Sequence, residues 1–363
     1  MVPSMSQSTA AGRGELIRIA FTEFKCRGHR LSLMDGAPCG APRRKRFRTV
    51  TEANGFLNGR LLVVAFEGWN DAGEAATGAV GTLKDLLDVS PVAEIDPEIY
   101  FDYQFNRPTI SAGGEDGRRK LEWPGAVLYG PTTPAKAGAP LADDAQLRVS
   151  GTNAGNIYLL LGTEPSRSWK GFAAEILDAA LAADVGGIVF LGAMLADVPH
   201  TRPISIFVSS DNPQVRAELQ VERSTYEGPV GILSVLAIAA EEVGIPTLSI
   251  WASVPHYVHN APSPKAMLAL IDKLEEIIDV VIPRGDLVSE ADEWQSGIDT
   301  LAAEDDEMAA YIGQLEQARD TVDSPEASGE AIAQEFEKYL RKRGDGRDGP
   351  GEGRPPTDSP RQP

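Results

Sequence analysis

Short apolar runs with no alternating polar residues are the strongest constraint on this chain. Residues 61–66 read Leu-Leu-Val-Val-Ala-Phe, and further β-rich runs fall at 99–103, 126–129, 156–161, 187–191, 204–209 and 247–252. A strand with one wet face alternates polar and apolar residues, whereas one that is apolar throughout belongs in a sheet covered on both faces. Apolar residues at helical spacing fill many of the gaps: Ala75, Ala79, Leu83 and Leu86; Phe172, Ile176, Leu177 and Ala180; Ile232, Val235, Leu236 and Ala239. The pattern predicts an α/β fold, a three-layer sandwich around a mainly parallel sheet, followed by C-terminal helices.

The first run leads directly into Glu67-Gly68-Trp69-Asn70-Asp71-Ala72-Gly73-Glu74. Open α/β sheets collect ligands at the carboxyl ends of their strands, which makes this junction a candidate site. Asp71 is placed to cap the next helix with Glu74 reaching back as in a capping box, and Gly73 admits another backbone or an anion. The same residues serve equally well to turn the chain and to pack a helix against the sheet.

Two tripeptides, Val198-Pro199-His200 and Val254-Pro255-His256, each close an apolar run, so both imidazoles are expected at that edge. Asp197 with His200, or His256 with His259, has the chemistry of a general base or of metal ligands. Against this, a His beside Pro in a loop commonly satisfies backbone carbonyls. No third ligand stands at a recognisable spacing, and neither metal nor cofactor is expected. Glu164 ends another strand in Gly162-Thr163-Glu164-Pro165, and Tyr226 precedes an apolar helix. Arg107 and Arg202 are suited to grip a carboxylate or phosphate in bidentate fashion, or to pair with Glu67, Asp71 or Glu164. Trp69, Trp169 and Trp251 line a groove or fill the core.

Charge excludes one class of partner. With 34 Lys plus Arg against 53 Asp plus Glu, the net charge of −19 opposes a broad nucleic-acid surface. Residues 1–50 run the other way, with 10 basic residues against 3 acidic. They read as a disordered basic arm or a misplaced start, ahead of an α/β core at 51–282, a helical extension at 283–342 and a disordered tail at 343–363. The stretch 111–151, rich in Gly, Pro, Arg and Asp, reads as an excursion or hairpin at the sheet edge. Both cysteines, Cys26 and Cys39, lie in the basic arm, which fits a reducing cytoplasm. No run approaches the ~18 apolar residues of a membrane span, so no membrane association is expected.

Ser263-Pro264 starts a helix, and Leu287, Ala291, Trp294, Ile298, Leu301, Met308, Ile312 and Leu315 then form a heptad-like stripe. That stripe either folds back on its own domain or packs against another subunit. A last helix is expected over 331–340. The one G-x-G-x-x-G match, Gly344, Gly346 and Gly349, has no strand before it, and no P-loop, G-x-S-x-G or H-E-x-x-H is present.

Taken together, Phe66 to Gly73, Gly162-Thr163-Glu164-Pro165 with Trp169, Leu191-Gly192-Ala193, residues 197–203 (Asp-Val-Pro-His-Thr-Arg-Pro), Tyr226-Glu227-Gly228-Pro229 and Val254-Pro255-His256-Tyr257 resemble the proteasome assembly chaperone family, second-subunit type. Order and spacing agree over about 61–315. The resemblance implies an α/β sandwich similar to phosphorylases and peptidyl hydrolases of that fold, without an established active site. It also implies self-association or pairing with a paralogue and, in some members, chaperoning of proteasome α-subunits. Members that dock on the proteasome end in a hydrophobic residue, a tyrosine and one final residue, whereas this sequence ends Ser359-Pro360-Arg361-Gln362-Pro363. The expected function is therefore a non-enzymatic assembly or interaction protein, homo-oligomeric, with proteasome subunits or a paralogue as partners. The alternative is an enzyme or binding protein for a small anionic ligand, such as an ATP-dependent carboxylate-amine ligase-like activity.

Overall fold

The computed structural model describes residues 55–111, 119–132, 149–151, 153–259 and 261–323. The expected basic arm, the helix at 331–340 and the tail lie outside these residues.

In chain order the elements are β1 (Arg60–Glu67), α1 (Ala75–Leu86), β2 (Val89–Ile95), β3 (Thr109–Ser111), β4 (Lys120–Glu122), β5 (Ala126–Pro131), β6 (Ser150–Gly151), β7 (Ile157–Thr163), α2 (Trp169–Ala182), β8 (Val185–Ala196), β9 (Ile206–Ser209), α3 (Pro213–Leu219), α4 (Ile232–Glu242), β10 (Thr247–Pro255), α5 (Pro264–Ile278), β11 (Val280–Val281), α6 (Leu287–Ala303) and α7 (Asp306–Asp323). Seven strands form one sheet in the order β2-β5-β7-β1-β8-β10-β9. The central four, β7, β1, β8 and β10, are parallel, and antiparallel strands flank them on both sides. This is the mainly parallel α/β sandwich with C-terminal helices that the apolar runs predict.

Successive side chains of a strand point to opposite faces, and β1 divides its apolar residues accordingly. Leu61, Val63 and Ala65 pack with α1 and α5, while Leu62, Val64 and Phe66 pack with α2 and α4. On the second face Phe172 collects Tyr100, Phe66 and Phe101 edge-on, with ring centroids 5.2, 5.8 and 6.3 Å away. Burial pushes the Tyr100 hydroxyl up to about 12, helped by its hydrogen bond to Glu175.

Two expectations need correction. The run at 99–103 is not a strand: Pro97–Ile99 is a 3-10 turn capped by Asp96, and Tyr100 and Phe101 are buried beneath it. The strand in that region is β2, an edge strand whose Pro91, Val92 and Glu94 face solvent and so carry no apolar signal. Within 111–151, β3 and β4 do form a separate hairpin, but β5 is an interior strand of the main sheet. The heptad-like stripe follows the first of its two readings and folds back on its own chain. Leu287, Ala291, Ile298 and Ile312 are buried as α6 packs on α5 and α7 on α6, whereas Leu301 is 61% exposed.

Candidate functional site

Helix α1 leaves β1 on one face of the sheet and α2 leaves its neighbour β7 on the other. Such a divergence opens a crevice at the carboxyl ends of two adjacent strands, the usual ligand position in open α/β folds. An open cleft of about 330 Å³ lies there, lined by Glu67, Glu74, Thr77, Leu161, Gly162 and Met267 among others. Both ionisable side chains on its wall are acidic, so an anion placed there would meet two carboxylates.

Beside the cleft the junction residues interlock. Asn70 is 1% exposed, and its amide donates to Glu164 Oε1 at 3.1 Å. The same oxygen accepts the Ile232 backbone N–H at 2.7 Å. A carboxylate is thereby set on the first residue of α4, where the helix dipole favours negative charge. Gly231 is required for this approach, because a Cβ there would lie 2.2 Å from Asn70 Oδ1. Glu67 accepts the Thr163 hydroxyl at 2.9 Å and is otherwise exposed.

Asp71 does cap α1, but not through the predicted capping box. Its Oδ1 accepts the N–H groups of Ala76 at 2.7 Å and Thr77 at 3.2 Å, and its Oδ2 accepts the Thr77 hydroxyl. Glu74 makes no cap bond; it is exposed and takes a left-handed conformation at φ 51°. Burial raises the Asp71 pKa against the opposing pull of those donors. Gly73, at φ 61°, admits backbone: a Cβ would lie 2.9 Å from that of Ser263, whose N–H donates to Gly73 O at 2.8 Å.

The second group of side chains lies at the ends of β8 and β10. The His200 backbone N–H donates to Tyr257 Oη at 2.8 Å, its Nδ1 lies 2.8 Å from the same oxygen, and its Nε2 lies 3.0 Å from Asp299 Oδ1. The His200 side chain is 1% exposed, and burial lowers its pKa while Asp299 opposes the shift. Burial also pushes the Tyr257 hydroxyl up to about 12. Lys265 donates to His200 O and to Gln295 Oε1, both at 2.6 Å, which ties α5 to α6. Both ring nitrogens of His200 are engaged and the ring is closed to solvent, so it is not disposed to act as a base on a substrate.

Several expected partnerships do not form. Arg202 pairs with neither Glu67, Asp71 nor Glu164 but reaches α7. Its Nε and Nη2 donate to the two oxygens of Asp320 at 2.7 and 2.8 Å, and Nη1 to Glu316 at 3.2 Å. Its hydrogen bond to Asp320 raises its pKa further. Arg107 is exposed and forms no ion pair among the described residues. His256 is 43% exposed; its Nδ1 lies 3.2 Å from Asp197 Oδ1 but outside hydrogen-bond geometry. Exposed His259 holds the His256 carbonyl at 2.8 Å rather than sharing a ligand with His256. Tyr226 is 65% exposed and donates to Pro229 O at 2.9 Å. Trp169 donates to Pro165 O at 2.6 Å and packs on the core, whereas Trp69 is 70% exposed. Among the described residues no His, Cys, Asp and Glu side chains group in a way that could hold a metal ion. Nor is any helix among them long and apolar enough to cross a membrane.

The expected single cluster is thus two: Asn70, Asp71 and Glu164 around the β1 and β7 ends, and His200, Arg202 and His256 under α6 and α7. Sequence reasoning missed Thr77, Lys265, Asp299, Glu316 and Asp320. The last three stand in helices with no motif around them, and their partners are set only by how the helices fold back.

The PAC2 family model matches residues 65–302. A PAC2 family protein from Streptomyces avermitilis is 40% identical over 69% of this chain and 99% of its own, with a TM-score of 0.59. A proteasome-assembly chaperone homologue from Mycobacterium tuberculosis is 38% identical over 69% and 99%, with a TM-score of 0.57. A second M. tuberculosis protein, of unknown function, is 26% identical over 72% and 85%, with a TM-score of 0.60. No curated protein matches the chain. The matched stretch and these relatives lead to one conclusion: the chain belongs to the PAC2 family.

Proposed function

We propose that this PAC2 protein works by binding other protein chains, in an assembly role without a chemical step. One observation carries the reading: Asn70, Asp71, Glu164, His200 and Arg202 are engaged within the chain, while nearby loops present large aromatic side chains to solvent. Trp69 is 70% exposed, Phe105 84%, Tyr226 65% and Trp123 50%. The loop that carries Phe105 is braced, and Trp123 packs against it. Ser166 Oγ donates to Asn106 Oδ1 at 3.0 Å and accepts the Asp102 N–H at 3.1 Å, and the Tyr103 ring lies 4.9 Å from that of Trp123. Rigid, exposed aromatic residues are typical of binding hot spots, since their area is buried at little cost in entropy.

Proteasome α-subunits are the favoured partner, supported by the relative described as a proteasome-assembly chaperone homologue. Self-association belongs to the same reading, as do a cytoplasmic location and division into a core to about residue 282, a helical extension and flanking segments at either end. The test is sedimentation of the purified chain, alone and with purified proteasome α-subunits. A complex that forms with the native chain and is lost in Trp69→Ala/Tyr226→Ala, with unchanged circular dichroism, supports the proposal. Absence of any complex, together with a stoichiometric metabolite in native mass spectra, would sink it.

A further inference from the structure

Helix α7, the last helix among the described residues, is held to the body mainly by side chains at its rim. Of its residues Asp306–Asp323, Ile312 is the buried apolar anchor, at 6% exposure. The other contacts are made at the rim. The Tyr311 ring lies 5.7 Å from that of His256 and 6.3 Å from that of Tyr257, edge-on in both cases. Glu316 accepts from the Thr201 hydroxyl and from Arg202, and Asp320 takes the rest of the Arg202 fork. These ion pairs are part-exposed, at 33% and 29% for Arg202 with Glu316 and 33% and 55% for Arg202 with Asp320. Exposed pairs of this kind add little stability and weaken as salt rises.

The helix is also locally self-sufficient. Asp305 Oδ1 accepts the N–H groups of Glu307 at 2.9 Å and Met308 at 3.1 Å, a cap that stays with α7 if it lifts. Moreover, α7 begins after residue 302, where the PAC2 match ends. What it covers is the Arg202 guanidinium with the rings of His256 and Tyr257, and Asp197 lies beside His256.

We infer that Thr201, Arg202, His256 and Tyr257 form a docking site for an acidic amphipathic helix of a partner protein, and that α7 is its displaceable occupant in the free chain. The site reads an aromatic-aliphatic pair followed by carboxylates five and nine positions after the aromatic residue, as in Tyr311, Ile312, Glu316 and Asp320. Arg202 supplies a fork that matches a carboxylate in geometry and in charge. Occupancy by α7 lowers the fraction of chains open to a partner and therefore the apparent affinity. The inference deepens the proposed binding role and rests on it for the existence of a partner; the site does not depend on that partner being the proteasome.

The test uses the full chain and a fluorescein-labelled peptide of residues 304–323 as the probe. Glu316→Lys/Asp320→Lys, which weakens the resident helix, should bind the peptide about tenfold or more tighter than the native chain. Adding Arg202→Glu should abolish the gain, and rising salt should erode it. Peptide binding that is no tighter in the double variant, or that is indifferent to Arg202→Glu, overturns the inference. Hydrogen exchange on the native chain is independent of any variant. α7 amides should exchange faster than those of α5, with the gap widening in salt; equal and salt-independent protection would also overturn it. Peptide binding without α-subunit binding would sink the proteasome partner alone, and the reverse result would sink the docking site alone.

Discussion

Asn70 and Glu164 stand 94 positions apart, yet the Asn70 amide donates to Glu164 Oε1 at 3.1 Å, and that oxygen also receives the first N–H of α4. One carboxylate therefore joins the end of β1, the end of β7 and the start of α4. A group that satisfies a buried amide and a helix terminus together is costly to remove, since its loss strands both donors.

Glu164→Ala should destabilise the fold by about 1–3 kcal/mol, with Glu164→Gln milder because it keeps an acceptor. Urea denaturation of the three proteins checks this, and equal midpoints would refute it.

Gly231→Ala should destabilise through contact with Asn70, by about 1–3 kcal/mol as for other overpacked sites. Asn70→Ala makes room for the added methyl group, so the double variant should be more stable than the sum of the single losses predicts. A double-mutant cycle gives the coupling; strict additivity would contradict the close approach of 2.2 Å.

His200 predicts a dependence on pH. Its folded pKa is lowered below the ordinary 6.5, with Tyr257, Asp299, Lys265 and Glu316 around it. The unfolded chain thus binds the proton first as pH falls. The stability from neutral His200 is full above that ordinary value and is lost as pH drops through it towards the folded pKa. His200→Gln should be less stable than the native chain at pH 7, and the difference should shrink on acidification. Chemical denaturation across that range is the measurement, and a constant difference would exclude the effect.

Phe172→Ala should cost about 3–5 kcal/mol, because it empties the centre of three edge-on ring contacts. Calorimetry should show a fall in melting temperature of several degrees or more; a loss below about 1 kcal/mol would mean that the cluster collapses to fill the space.

Much of the core was legible because burial on both faces leaves a mark in a run of residues. The run at 61–66 appears as β1 with its six apolar side chains buried, and Ser263 with Pro264 starts α5 as expected. Edge strand β2 left no such mark, since solvent tolerates Pro91 and Glu94 there. Tyr100 and Phe101 carried the opposite error, for aromatic residues in a buried turn read as a strand.

At the site, the sequence by itself identified the junction 67–74, Glu164, His200, Arg202 and His256 as residues with chemistry, and determined that a sheet covered on both faces would carry them. Only the tertiary structure decided what they meet. Glu164 needs the start of α4, and His200 and Arg202 need Asp299, Glu316 and Asp320 from α6 and α7. Periodicity reports which face of an element is apolar, a local property of the chain. Polar partners are chosen by the packing of elements far apart in sequence, where single contacts leave no repeating trace.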